Sequence, residues 1–301
     1  MDKPRPPRPA LMVHAGAWDI PEREKDAHIK GVGRALRAGW DLLRGGGASL
    51  DAVIAAVRTM EDDSALNAGT GSVLCRGGWV EMDAGLMEGR DLEAGAVASV
   101  RDVRNPILLA KEVLRSEHVV LVGEGASEFA AERGIERIDP SLLVLPREKE
   151  RLATWEAAHG ASGPADTVGA VAVDREGHLA AGASTGGMVG KRVGRVGDTP
   201  VPGCGYFADD QLAAVACTGE GEQILRLGLA RRAAEFSREN AAQDAAWLAI
   251  RELEDRVGGR GGLILVARDG SLGWAFNTPA MAVGYLDAET PDPVIRGIPG
   301  R

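Results

Sequence analysis

Between Thr167 and Asp174 the chain reads Thr-Val-Gly-Ala-Val-Ala-Val-Asp, an alternating β-branched run, and a polar Arg175-Glu176-Gly177-His178 turn joins it to a second alternating run, Leu179 to Ser184. A period of two sends successive side chains to opposite faces, so these segments must lie in a sheet whose apolar faces are covered. Ala10 to Ala17 reads as another buried strand, and Val119 to Val122, Gly262 to Ala267 and Gly273 to Asn277 follow as further strands. Helical spacing carries Ile29, Val32, Leu36, Trp40 and Leu43 up to a Gly45-Gly46-Gly47 stop. Ser49 is expected to cap a second helix with Leu50, Val53, Ile54, Val57 and Met60 on one face, ended by Glu61-Asp62-Asp63. Ser72 to Leu86 reads as a hairpin about Gly77-Gly78, and Asn105-Pro106 opens a helix with proline where its missing N–H costs nothing. Two more helices are expected near Gln223 to Phe236 and Ala241 to Val257. Strands in neighbouring runs and helices in pairs favour an α+β arrangement of sheets layered with helices over strict βαβ alternation.

With 301 residues, 45% of them hydrophobic, the chain can fill a large core, and we expect one domain over 1–301. Aromatic residues are only 4% while glycines number 41, which points to close-packed Ala, Val and Gly layers. A net charge of −9 argues against nucleic acid and anionic membrane partners and for small-molecule or peptide chemistry. The apolar run that ends at His14 is too short for a signal h-region or a spanning helix, so the expected location is cytoplasmic. Cys75, Cys204 and Cys217 are odd in number and lack C-x-x-C spacing, which indicates buried thiols. No G-x-G-x-x-G follows the first strand, and Gly69 to Ser72 lacks the lysine of a P-loop.

Residues 139–166 have the composition of an exposed linker: Pro140, Pro146 and Pro164, a charged run from Arg147 to Arg151, and the small-residue stretch Gly160 to Ala165. A cut between Asp166 and Thr167 would leave a threonine whose own α-amine, of reference pKa ~8, can take the proton from its Oγ. One residue would then be both nucleophile and base.

Five strings occur in order around this threonine: Asn67-Ala68-Gly69-Thr70-Gly71, Thr167 to Asp174, Ser184-Thr185-Gly186-Gly187, Gly194-Arg195-Val196-Gly197-Asp198 and Cys217-Thr218-Gly219-Glu220-Gly221-Glu222. Together they resemble the plant-type asparaginase/isoaspartyl peptidase family of N-terminal-nucleophile hydrolases, over nearly the whole chain from His14 to Asn277-Thr278. The resemblance implies a four-layer αββα sandwich, self-cleavage into an α subunit (1–166) and a β subunit (167–301), a dimer of such αβ units, and hydrolysis of L-asparagine and β-aspartyl dipeptides. No cofactor is implied for catalysis.

By the same resemblance, Thr167 is the nucleophile and Thr185 orients its hydroxyl. Thr218, Gly219 and Asn67 supply the oxyanion donors. Arg195 forks onto the substrate α-carboxylate and Asp198 takes its α-ammonium, while Gly219 and Gly221 line that pocket through backbone atoms. An R-x-x-D spacing by itself is equally an ordinary surface ion pair. Met60, Glu61, Asp63, Leu66, Ala68 and Thr70 match a stretch whose backbone carbonyls hold a structural sodium ion in relatives. His14 is structural, since the Thr167 amine fills the role of base.

Two departures stand out. His14-Ala15-Gly16-Ala17 replaces the family's frequent His-Gly-Gly-Ala, and Asp166-Thr167 replaces Gly-Thr at the scissile bond. The second resembles glycosylasparaginases, which leaves an amidase for glycosylated asparagine as an alternative. An endopeptidase branch that shares His-Ala-Gly-Ala and a catalytically silent protein of the same fold are the others.

Overall fold

The computed structural model describes residues 8–158 and 166–298. In chain order its elements are β1 (Ala10–Trp18), α1 (Glu22–Arg44), α2 (Ser49–Glu61), β2 (Met82–Glu88), β3 (Ala94–Val100), α3 (Pro106–Leu114), β4 (Val120–Val122), α4 (Gly123–Glu132) and α5 (Pro146–Ala157). Beyond the gap come β5 (Val168–Val173), β6 (Leu179–Thr185), β7 (Tyr206–Ala208), β8 (Ala213–Gly219), α6 (Gly221–Leu227), α7 (Leu229–Phe236) and α8 (Ala242–Val257). The chain closes with β9 (Gly261–Ala267), β10 (Leu272–Phe276), β11 (Ala280–Asp287) and β12 (Thr290–Arg296).

An eight-stranded sheet, ordered β12-β11-β1-β5-β6-β2-β3-β4, faces a four-stranded sheet ordered β10-β9-β8-β7. Every pairing is antiparallel except β3 with β4. Helices α1, α2 and α3 cover the outer face of the large sheet, and α7 and α8 cover the small one, so the layers run αββα. The chain thus has the N-terminal-nucleophile sandwich expected from its motifs.

Strand parity explains the two main cores. Leu11, Val13 and Ala15 of β1 pack with Val168, Ala170 and Ala172 of β5 against α1 and α2, while Met12, Val171 and Val173 face the small sheet. By that parity a residue at 167 and one at 185 both lie on the inner, sheet-to-sheet side. Register agrees: Val168 pairs with Ser184, which sets Thr167 beside Thr185.

Several local expectations change. Ser49 is the first helical residue of α2, not its cap, because Asp174 reaches across from the end of β5 and accepts the Ser49 N–H at 3.1 Å. Gly77-Gly78 forms a turn, closed by Cys75 N–H to Trp79 C=O, but the hairpin proper is β2 with β3. The helix expected from Gln223 to Phe236 is broken at Gly228, whose left-handed φ of 67° ends α6 and starts α7. Residues 139–158 are a turn of 3-10 helix and α5 rather than an irregular linker, anchored through Leu143 and Leu152 against Val73, Leu74 and Met82. Gly160 to Ala165 lie outside the described residues. No helix among the described residues is long and apolar enough to cross a membrane.

Candidate active site

Thr167 sits one residue before β5, buried between the sheets. Its Oγ1 donates to Thr185 Oγ1 at 3.2 Å, and the Thr185 hydroxyl donates in turn to the Asp166 carbonyl at 2.8 Å. That carbonyl belongs to the peptide bond expected to be cut. It accepts a second hydrogen bond, from Asn67 Nδ2 at 2.8 Å. The Asn67 amide also donates to Gly187 C=O at 2.7 Å and accepts from Val73 N–H at 2.9 Å, so all its bonds fix one orientation. Thr185 is held likewise by Gly187 N–H at 2.9 Å. Two pre-aimed donors on one carbonyl oxygen are what stabilises negative charge developing there. Asn67, expected to serve a substrate oxyanion, points at the chain's own peptide carbonyl in this uncut form.

The Asp166 side chain is also buried. Its Oδ2 lies 3.5 Å from His28 Nε2 and its Oδ1 has no partner. Burial works against charge on His28, yet the hydrogen bond and charge of Asp166, with Glu24 behind, raise its pKa overall. Gly16, at φ 86°, leaves the space that Oδ1 fills, because a Cβ there would overlap it. Glycine therefore stands at 16 for a steric reason. His14 is fully buried, and burial drives its pKa down to about 3 against a raising contribution from the Thr167 backbone. A ring that stays neutral packs the site and takes no proton near pH 7.

Thr218 and Gly219 end β8 in the facing sheet, where β8 packs on β5 and β6. The Thr218 hydroxyl is buried without a partner. Gly219, at φ 140°, lies against the backbone of Arg260 and Gly261 and lines a cleft of about 520 Å3 with Trp18, Met188, Glu222 and Arg260. Asp198 is buried with Oδ2 unpartnered, and burial raises its pKa to about 7. Arg195 does not pair with Asp198. It forks onto Glu222 at 2.9 and 2.8 Å, and that bond lowers the Glu222 pKa. A Cβ on Gly221 would come within 2.8 Å of both Arg195 Nη2 and Asp198 Oδ1, so glycine keeps the cation and the carboxylate open to the same space.

Glu222 and His28 were not singled out by sequence reasoning. Glu222 stands inside the quoted Thr218 string, but its partner is 27 positions away, and His28 lies 138 positions from Asp166. Neither pairing leaves a local signal.

Around the expected sodium loop, a Cβ on Gly71 would overlap Leu66 O and sit 2.9 Å from Ser64 O and 3.0 Å from Asp63 O. Carbonyls of Asp63, Ser64 and Leu66 thus crowd Gly71, and two of them accept hydrogen bonds within the turn, Asp63 C=O from Leu66 N–H at 3.1 Å and Leu66 C=O from Ala68 N–H at 2.9 Å. Met60 O and Ala68 O accept hydrogen bonds from Asp63 N–H and Gly71 N–H, which shape the same turn.

A threonine at the head of an inner strand of an αββα sandwich, beside aimed hydroxyl and amide donors, defines the N-terminal-nucleophile class of hydrolases. A family model described as asparaginase matches residues 7–295, and the chain belongs to that family. It is 42% identical over 319 residues to a probable isoaspartyl peptidase/L-asparaginase of Drosophila pseudoobscura pseudoobscura, covering 98% of this chain and 97% of that one. It is 43% identical over 270 residues to the isoaspartyl peptidase/L-asparaginase of Homo sapiens, covering 87% and 88% of the two chains. The zebrafish (Danio rerio) protein of that name is 39% identical over 291 residues, covering 93% and 92%.

Proposed function

We propose that this protein is a self-activating threonine hydrolase that cleaves the side-chain amide of L-asparagine and the isopeptide bond of β-aspartyl dipeptides. The observation that carries the reading is the pair of hydrogen bonds on the Asp166 carbonyl, with the Thr167 hydroxyl held by one of the two donors. In the first reaction Thr167 Oγ attacks the Asp166 carbonyl carbon while Asn67 and Thr185 face the oxyanion. The C–N bond breaks, the departing Thr167 nitrogen takes the proton that Oγ gives up and becomes a free amine, and an ester joins Asp166 to Thr167 Oγ. Water hydrolyses the ester, freeing an Asp166 carboxylate and the Thr167 α-amine.

In the second reaction Arg195 and Asp198 hold the aspartyl head group, and Thr167 Oγ attacks its β-carbonyl as the proton passes to the new amine. That proton goes to the leaving ammonia or amine, with Thr218 and Gly219 facing the oxyanion. Water then releases aspartate from the β-aspartyl ester. A sodium ion held by the carbonyls of the 60–70 loop would be structural, fixing the turn that presents Asn67. Free Cys75, Cys204 and Cys217 support a reducing, cytoplasmic location, and the mature form is read as a dimer of αβ units.

Denaturing electrophoresis with amino-terminal sequencing tests the reading. Wild type should yield two fragments, one beginning at Thr167, and release ammonia from L-asparagine. Thr167→Ala should stay in one piece and be inactive; an active, uncut Thr167→Ala protein would refute the mechanism.

A further inference from the structure

The leaving group of L-asparagine is ammonia, which does not fill a cleft of about 520 Å3 lined by Gly219, Trp18, Met188, Pro279 and Arg260. A leaving amino acid does. Arg260 is the cationic residue of that lining, and its guanidinium is exposed and has no ion pair or hydrogen bond among the described residues. Its backbone is fixed: N–H donates to Glu220 Oε2 at 3.1 Å, and C=O accepts from Glu220 N–H at 2.9 Å. Gly261 and Gly259 on either side are tied to the Asn277 side chain at 2.8 and 3.0 Å. The side chain thus departs from an anchored point against Gly219, beside the expected oxyanion. Three carboxylates share the lining: Glu222 is bound to Arg195, Glu220 caps the Arg260 N–H, and Asp19 is exposed and makes no ion pair with Arg260 among the described residues.

We propose that Arg260 reads the free carboxylate of the leaving residue, so that the cleft selects β-aspartyl dipeptides with an apolar second residue over longer or amidated chains. The inference rests on the hydrolase reading above and adds the leaving-group side to it. A guanidinium fork suits a terminal carboxylate, and Trp18, Met188 and Pro279 offer apolar contact to the side chain next to it.

The test measures kcat and KM of mature wild type, Arg260→Gln and Arg260→Lys with L-asparagine, β-aspartyl-leucine and β-aspartyl-leucine amide. Arg260→Gln should raise KM for β-aspartyl-leucine about tenfold with kcat nearly unchanged, and Arg260→Lys should recover part of the loss. Kinetics with L-asparagine and with the amide should not respond to either change, and those two substrates also report that the variants are folded and processed. Equal effects on the acid and the amide, or no effect on either, would overturn the role of Arg260 while leaving the hydrolase intact. Wild type that turns over none of the three would overturn the hydrolase reading itself, and this inference with it.

Discussion

On the carbonyl oxygen of Asp166, where the proposed self-cleavage would develop negative charge, two donors from distant parts of the sequence meet. Removing one oxyanion donor typically raises a barrier by ~3 kcal/mol. Asn67→Ala and Thr185→Ala should therefore each slow self-cleavage by about a hundredfold or more, followed as loss of the full-length band. Unchanged cleavage in both would remove the carbonyl from the mechanism. Gly16→Ala should have a related effect through sterics, since its Cβ would collide with the Asp166 carboxylate. Asp198 gives a pH signature. It must be ionised to hold an ammonium, and burial raises its pKa to about 7, so KM for L-asparagine should climb as pH falls from 7.5 to 5.5. The folded protein keeps this proton up to about pH 7, whereas the unfolded chain releases it near 3.8. Its contribution to stability is thus fully present below 3.8 and is lost as pH rises through 7. Asp198→Asn should flatten that part of a melting-temperature profile, and an unaltered slope would contradict the assignment.

At the level of elements, α2 begins where β5 ends. Asp174 joins them by accepting the Ser49 N–H through Oδ2 and the Glu176 and His178 N–H groups, both at 3.0 Å, through Oδ1. One carboxylate caps a helix and closes the turn that sets the β5 to β6 register, and hence the meeting of Thr167 with Thr185. Asp174→Ala should cost about 1–3 kcal/mol in a denaturant titration, the usual penalty for a lost cap with buried N–H groups left unpaired. A loss under about 0.5 kcal/mol, the usual scatter of surface changes, would show that water replaces the carboxylate. Glu61 caps in the same manner on α3, where its Oε1 accepts the Ile107 N–H at 3.0 Å.

For the whole molecule, the proposed cut after 166 would not divide the fold. β1 lies between β11 and β5, and β6 pairs with β2, so strands from the two expected fragments alternate through one sheet. Separating them would break the β1 to β11, β1 to β5 and β2 to β6 ladders and expose both main cores. The two fragments should therefore elute together on native size exclusion and part only in denaturant. Elution as two species under native conditions would be the contrary result.

Local information in the sequence was enough for the alternating strands β5 and β6 and for the helices α1, α3 and α8, because periodicity, proline and glycine act within a few residues. It was not enough for β7, β8 and β11, whose short or Ala- and Gly-rich runs become strands through pairing, for β12, which carries two prolines, nor for α5, whose apolar residues Leu152 and Trp155 need a pocket made by Val73, Leu74 and Met82. The site divides the same way. Residue types at Thr167, Thr185, Asn67, Arg195 and Asp198 were legible as motifs. Only the packed sandwich decided that Asn67 and Thr185 share the Asp166 carbonyl, that Glu222 holds Arg195, and that His28 stands by Asp166. Those contacts join positions up to 138 residues apart, and only long-range packing sets such distances.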